Sequence, residues 1–155
     1  MHKTNAARML DKQGISYELV EYEVDEDDLS ATSVASKIGE NIDQVFKTLV
    51  LRGDKTGIVV AVIPGEAELN LKATAKITGN KSVAMVHVKE LLGLTGYIRG
   101  GCSPVGMKKA YPTYIHESCR QFDCIYISAG QRGLQLKINP DELAKSCRAV
   151  VCNLL

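Results

Sequence analysis

Three short stretches carry the residue types able to do chemistry. The first is Phe46-Lys47-Thr48-Leu49-Val50-Leu51, a run of large and β-branched apolar side chains with one lysine among them. Such a run reads as a buried strand. Side chains alternate along a strand, so Lys47 shares a face with Leu49 and Leu51, while Phe46, Thr48 and Val50 point the other way. Both faces are largely apolar. An ammonium held there needs an anion, carbonyls or a polar pocket wall, because an unpaired buried charge is costly. Either Lys47 snorkels to the sheet edge, or it holds a phosphate or a polarised carbonyl in a pocket.

The second stretch runs Gly96-Tyr97-Ile98-Arg99-Gly100-Gly101-Cys102-Ser103-Pro104-Val105-Gly106. Paired glycines let a backbone approach a ligand closely and present N–H groups to an oxyanion or phosphate; equally, they serve a tight loop that needs positive φ. No Gly-Lys-Ser/Thr closes the stretch, so it is not a P-loop. The third stretch, Ile127-Ser128-Ala129-Gly130-Gln131-Arg132-Gly133-Leu134, reads as a strand end, a glycine-rich turn and a new strand. Ser128 sits where strand meets loop, as a binding hydroxyl or a turn hydrogen-bonder. A nucleophile–base pair is missing. Nothing ties Cys102 to His87 or His116, His2 lies near the terminus, and no nucleophile elbow appears.

The elements that must position these residues follow from periodicity and punctuation. Helices are expected at Thr4–Lys12, stopped by Gly14; at Ser30–Lys37, stopped by Gly39; from Asn70 to Ile77, before Gly79; over Val88–Leu92, closed by Gly93; and after Asn139-Pro140-Asp141-Glu142, where a cap, an early proline and acids suit the positive dipole end. Strands are expected over Ile15–Val24, the Lys47 run, Ile58–Ile63 as the central strand, Val83–Val86, Tyr114–His116, Cys124–Ser128, Leu134–Ile138 and Ala149–Cys152. Asp25 to Asp28 reads as a solvated acidic turn, and Gly53-Asp54-Lys55-Thr56-Gly57 as a hairpin turn. The irregular mixture and short turns argue for a single α+β domain over residues 1–155, with a mixed, mostly antiparallel sheet.

Composition sets the bounds. The chain has 155 residues, 45% apolar and 24% charged, enough for one domain with a real core. No window approaches the roughly 18 apolar residues of a membrane span, and the start lacks a signal-peptide core, which favours the cytoplasm and no membrane partner. The five cysteines include no Cys-x-x-Cys pair and no zinc spacing, so free thiols and no metal are expected. A net charge of +1 is no strong footprint for a nucleic-acid binder, and no DNA partner is expected; RNA would be met weakly, with a partner's help, or through a local patch such as Arg99, Lys108, Lys109, Arg132 and Lys137.

Taken together, the chain resembles the YbaK family of freestanding aminoacyl-tRNA editing domains, nearly end to end. The likeness rests on Asp43-Gln44-Val45-Phe46-Lys47-Thr48-Leu49, Leu69-Asn70-Leu71-Lys72, Gly96-Tyr97 with Gly100-Gly101, Ser103-Pro104, Gly106 with Lys108-Lys109, and Ile127-Ser128-x-Gly130 with Arg132-Gly133-Leu134. The branch it is most similar to is that of Cys-tRNA(Pro) deacylases. The resemblance implies a barrel-like mixed sheet with flanking helices and cleavage of cysteine wrongly attached to proline tRNA, with Cys-tRNA(Cys) as a second candidate substrate. It implies catalytic roles for Lys47, Gly100 and Gly101, substrate binding by Tyr22, Thr48, Ser128 and Arg132, no cofactor, and tRNA(Pro) and prolyl-tRNA synthetase as candidate partners. In the mechanism it implies, the substrate's own thiolate attacks its ester and the enzyme supplies no nucleophile. The sequence departs from the pattern at Gln135, where some relatives carry Asp; at Cys102, in place of an aliphatic residue; and at Leu29-Ser30, where an aromatic is expected. Three other readings stand beside this one: a non-catalytic accessory module binding tRNA or a synthetase, a deacylase for another amino acid, and a thiol enzyme using Cys102.

Overall fold

A computed structural model describes residues 3–155; His2 lies outside the described residues. The elements in order are α1 (Asn5–Gln13), β1 (Glu18–Glu21), α2 (Ala31–Ile38), β2 (Phe46–Gly53), β3 (Gly57–Pro64), α3 (Leu71–Thr78), β4 (Val83–Met85), α4 (Val88–Thr95), β5 (Thr113–His116), β6 (Ile125–Gln131), β7 (Leu134–Ile138), α5 (Pro140–Cys147) and β8 (Val150–Cys152), with 3₁₀ turns at Ile42–Gln44 and Glu117–Gln121. The fold is α+β. No helix among the described residues is long and apolar enough to cross a membrane.

Side-chain caps hold the helix starts. Thr4 Oγ1 accepts from Ala7 N, Ser30 Oγ from Ser33 N, Asn70 Oδ1 from Ala73 N, and Asn139 Oδ1 from Asp141 N and Glu142 N. Each occupies a backbone donor that the helix itself cannot satisfy. One stop differs from expectation. Helix α4 passes through Gly93 to Thr95 and ends at Gly96, which takes φ 85° and donates its N–H to Leu92 O. A glycine inside a helix costs only about 1 kcal/mol, and Leu91 packing against the core offsets it.

Strands β4-β2-β3-β5-β8 form one sheet, with β3/β5 and β5/β8 parallel and the other pairs antiparallel; β1-β7-β6 form a second, antiparallel sheet. Instead of closing into a barrel, the two sheets are joined by a single parallel bridge, Val45 to Tyr126. Strand β1 is shorter than the Ile15–Val24 run because only Glu18–Glu21 reach the β7 ladder. Strand β6 outlasts Ser128, passing through a bulge to Gln131.

β3 lies between two cores, which accounts for its unbroken apolar run. Val60 and Val62 face Ile125, Ile127 and Leu136 of the second sheet, with Leu10 of α1 and Leu143 of α5 sealing the end. Val59, Ala61 and Ile63 face Ala75 of α3 and Leu154. Burying such a side chain contributes about 1.5–3 kcal/mol, so the β2–β3 hairpin is a rigid base. Its turn is clamped by Asn80, whose Oδ1 accepts from Lys55 N and Thr56 N, both at 2.9 Å.

Candidate active site

Where the two sheets meet at the Val45–Tyr126 bridge, a cavity of about 320 Å³ opens. β2 supplies its floor through Phe46, Lys47, Thr48 and Leu49; the start of α2 supplies Leu29 to Ala31 and Val34; the glycine loop supplies Arg99, Gly100 and Cys102; β6 and β7 supply Ser128 and Gln135. Ser128 and Gln135 are direct partners in the β6–β7 register. The hairpin thus fixes Lys47, and the ladder fixes the opposite wall.

Lys47 is half-buried, and among the described residues no carboxylate pairs with it. The lining contains the cations Lys47 and Arg99 and no Asp or Glu. A cavity with cations and no fixed counter-charge favours an anionic guest, and its low-dielectric walls strengthen that preference. Two buried polar atoms in the same lining, Thr48 Oγ1 and Gln135 Oε1, have no hydrogen-bond partner among the described residues. A buried oxygen left unpaired costs about 1–3 kcal/mol. Both oxygens can accept a hydrogen bond from a guest. The sequence marked Gln135 only as a departure from the family pattern and gave it no role: within Leu134-Gln135-Leu136-Lys137-Ile138, alternation groups it with Lys137, the outward lysine, yet Gln135 is buried. A polar side chain in a strand that is otherwise apolar is the signal that could have found it.

The glycine loop serves both of the readings open to it. Gly100 has φ 82°, and a Cβ there would lie 3.3 Å from Arg132 Nε and from Leu29 Cδ1. Gly101 lies against the next strand's backbone, where a Cβ would sit 3.0 Å from Gln131 Cα. Its N–H donates to Ile98 O at 2.9 Å, so Gly101 closes the turn and does not line the cavity, whereas Gly100 does. Arg132 stands behind the loop: Nε donates to Arg99 O at 2.9 Å, and a terminal nitrogen donates to Glu26 Oε2 at 2.6 Å. It ties the loop to the acidic turn and does not reach the cavity lining. Ser128 Oγ accepts from Gly130 N at 3.1 Å across the bulge, which leaves its hydroxyl hydrogen free to donate. Tyr22 packs with Val34, Val45 and Tyr126 beside the cavity and is not part of its lining.

The thiol in the lining is poorly suited to attack. Burial pushes Cys102 up to about 11, so it stays protonated near neutral pH, and the thiolate is the nucleophilic form. No histidine among the described residues lines its cavity to act as a base. His87 precedes α4, where its backbone N–H donates to Glu90 Oε2 at 3.1 Å, and buried His116 accepts from Leu154 N through Nδ1 at 3.1 Å. The expected RNA patch also changes. Arg132 is paired with Glu26, and Lys137 lies 4.0 Å from Glu18, leaving Arg99, Lys108 and Lys109 unpaired among the described residues.

Known proteins are similar to this chain in sequence and in fold. The model of the aminoacyl-tRNA editing domain matches residues 25–146. An Enterococcus faecalis protein, EbsC, provisionally named a Cys-tRNA(Pro)/Cys-tRNA(Cys) deacylase, is 52% identical over 91% of this chain and 86% of its own length. A proline–tRNA ligase of Thermosipho africanus is 34% identical over 49% of this chain and 13% of its own length. The solved structure of a protein provisionally described as a trans-editing enzyme for prolyl tRNA synthetase superposes with a TM-score of 0.86 at 25% identity, covering 99% of this chain and 98% of that one. With a family model spanning most of its length and a relative sharing half its residues, this chain belongs to the aminoacyl-tRNA editing domain family.

Proposed function

We propose that the chain is a trans-editing deacylase in the cytoplasm that clears cysteine from tRNA(Pro), with Cys-tRNA(Cys) as a second substrate. The observation that carries this is the cavity lined by Lys47 and Arg99, without a carboxylate, that also holds two unpartnered acceptors, Thr48 Oγ1 and Gln135 Oε1. An aminoacylated tRNA end presents both complements: phosphate and ribose oxygens for the cations, and an α-ammonium for the acceptors. The name of the Enterococcus relative supplies the amino acid and the tRNA.

The chemistry follows from the want of an enzyme nucleophile. The substrate cysteine's thiolate attacks its own ester carbonyl; a C–S bond forms, the C–O bond to the tRNA breaks, and the 3′ oxygen leaves and takes a proton. Lys47 anchors the terminal adenosine through its phosphate or ribose, the Gly100 N–H faces the developing oxyanion, and Ser128 offers a hydroxyl donor. Donors of this kind contribute roughly 10²–10³ in acyl-transfer rate. Thr48 and Gln135 hold the α-ammonium; Arg132 acts through the loop. Turnover of cysteinyl-tRNA(Pro), beside alanyl- and prolyl-tRNA(Pro), tests the reading. Fast release of free tRNA from the cysteine ester is expected, and equal rates for all three would overturn the specificity.

A further inference from the structure

A second cavity, of about 340 Å³, lies at the far end of the glycine loop, and nothing in the chemistry above uses it. The same loop that gives Arg99, Gly100 and Cys102 to the first cavity gives Pro104–Met107 and Lys109–Tyr111 to the second, where α1 and the end of α5 complete the wall. Its lining pairs an apolar side (Met9, Met107 and Tyr111) with two cations, Lys109 and Arg148, and includes no Asp or Glu. Among the described residues neither cation makes an ion pair, and both are exposed. From Glu90 to Glu117 the chain contains no acidic residue between those two, whereas Arg99, Lys108 and Lys109 fall inside the interval.

Arg148 is unusual in its backbone. Helices α1, α2, α3 and α4 are each followed by a glycine in the left-handed region, as that conformation favours. Helix α5 is followed instead by Arg148 at φ 52°, the only residue other than glycine with positive φ among the described residues. A side chain kept where glycine is the default points to use of that side chain. The cavity walls are pinned: Tyr97 Oη donates to Val105 O and Tyr111 Oη to Leu94 O, both at 2.7 Å, and Gly106 lies against the Asn5 backbone, where no Cβ fits.

We propose that the second cavity is a docking site for the sugar–phosphate backbone of the tRNA acceptor arm, with Lys109 and Arg148 on phosphates and the Met107–Tyr111 side against an unstacked nucleotide. The inference rests on the reading that the first cavity takes the aminoacylated 3′ end of the same molecule. Gly100 and Lys109 are nine residues apart in the chain and so lie at most about 32 Å apart, within the reach of one acceptor arm and its single-stranded end. The site also suits a polyanionic partner on a chain of net charge +1: Arg99, Lys108 and Lys109 lie on one loop that carries no acidic residue.

The test is binding of uncharged tRNA(Pro) by the full chain, measured against salt. Lys109→Ala with Arg148→Gly is the decisive variant; the glycine suits the left-handed position, so the fold is retained. The Kd is expected to rise roughly tenfold or more, and the slope of log K on log salt to fall by about two, the loss of two phosphate contacts. Lys72→Ala with Lys76→Ala on α3 removes the same charge away from both cavities and should leave the slope unchanged. An unchanged Kd and slope in the first variant, or an equal loss in the second, overturns the proposal. Because the tRNA is uncharged, the result stands apart from deacylation. Normal turnover with an unaltered slope sinks the docking site alone, and a lost slope in a protein without turnover sinks the deacylase reading alone.

Discussion

At the scale of the residue, the proposed site turns on Lys47. It lies among apolar neighbours, no carboxylate among the described residues neutralises it, and β2 pairs it rigidly with Ile63. Removing a charge of this kind without leaving a stranded partner is often neutral for stability. Lys47→Ala should therefore abolish deacylation while its thermal unfolding midpoint stays close to that of the parent; unchanged turnover would remove Lys47 from the site. Cys102 is the opposite case. Its thiol is buried, with its pKa pushed up to about 11, and no histidine among the described residues lines its cavity. Cys102→Ala should keep most of the activity. A loss above about a thousandfold, the scale for a removed nucleophile, would revive the thiol enzyme. Lys47 stood out in the sequence because a charge interrupts an apolar strand. Gln135 stood out only as a departure from the family pattern, and its place in the cavity was not legible, because the cavity forms where two sheets distant along the chain meet.

At the scale of the element, local chemistry was legible and long-range docking was not. Asn70 and Asn139 marked helix starts because a cap is a matter of three or four residues; Gly14, Gly39 and Gly79 marked stops for the same reason. Gly93 misled because the apolar contact of Leu91 with Val50 and Tyr97, formed only on folding, carries α4 past it. The roof that Leu29 to Ala31 lay over the cavity was equally invisible: nothing within α2 says where it docks. The glycine loop combines both kinds of information. Its positive φ at Gly100 is local, but its position depends on Arg132 gripping Arg99 O and Glu26. Gly100→Ala forces a Cβ into the left-handed region against Arg132 and Leu29, a strain of about 1–3 kcal/mol. The loop should move, lowering kcat at least tenfold with a smaller effect on stability. Arg132→Lys keeps the charge but cannot hold both partners through one planar fork. It should weaken turnover while leaving the unfolding midpoint within a few degrees, since the exposed ion pair with Glu26 is worth little. Full activity in Arg132→Lys would show that the loop holds its shape unaided.

At the scale of the whole molecule, what stands out is the separation of binding from chemistry. Two sheets and the glycine loop build a cationic cavity, yet no described cysteine or histidine is set up as nucleophile and base. Cys119 and Cys147 are raised by burial, Cys147 to about 11, and His116 is pinned to Leu154 N and lowered by burial. The proposed nucleophile is then the substrate's own thiolate or a water, and the two sources differ in one measurable respect. Serine on the same tRNA fits wherever cysteine fits and offers the same α-ammonium to Thr48 and Gln135. Its hydroxyl, however, is a far weaker nucleophile near neutral pH than a thiol, a few per cent of which is already thiolate. If the substrate attacks itself, seryl-tRNA(Pro) should bind with similar affinity and be cleaved at least a hundredfold more slowly in single turnover at saturating enzyme. The rate for cysteine should rise with pH as its thiol ionises, and Lys47 should shift that rise to lower pH if the ammonium lies within about 6 Å of the sulfur, since a nearby cation favours the thiolate. If a bound water attacks, serine and cysteine should be cleaved at comparable rates and that pH dependence should be absent. Comparable single-turnover rates would therefore reject substrate-assisted cleavage and assign the attack to a water held near Gly100 and Ser128.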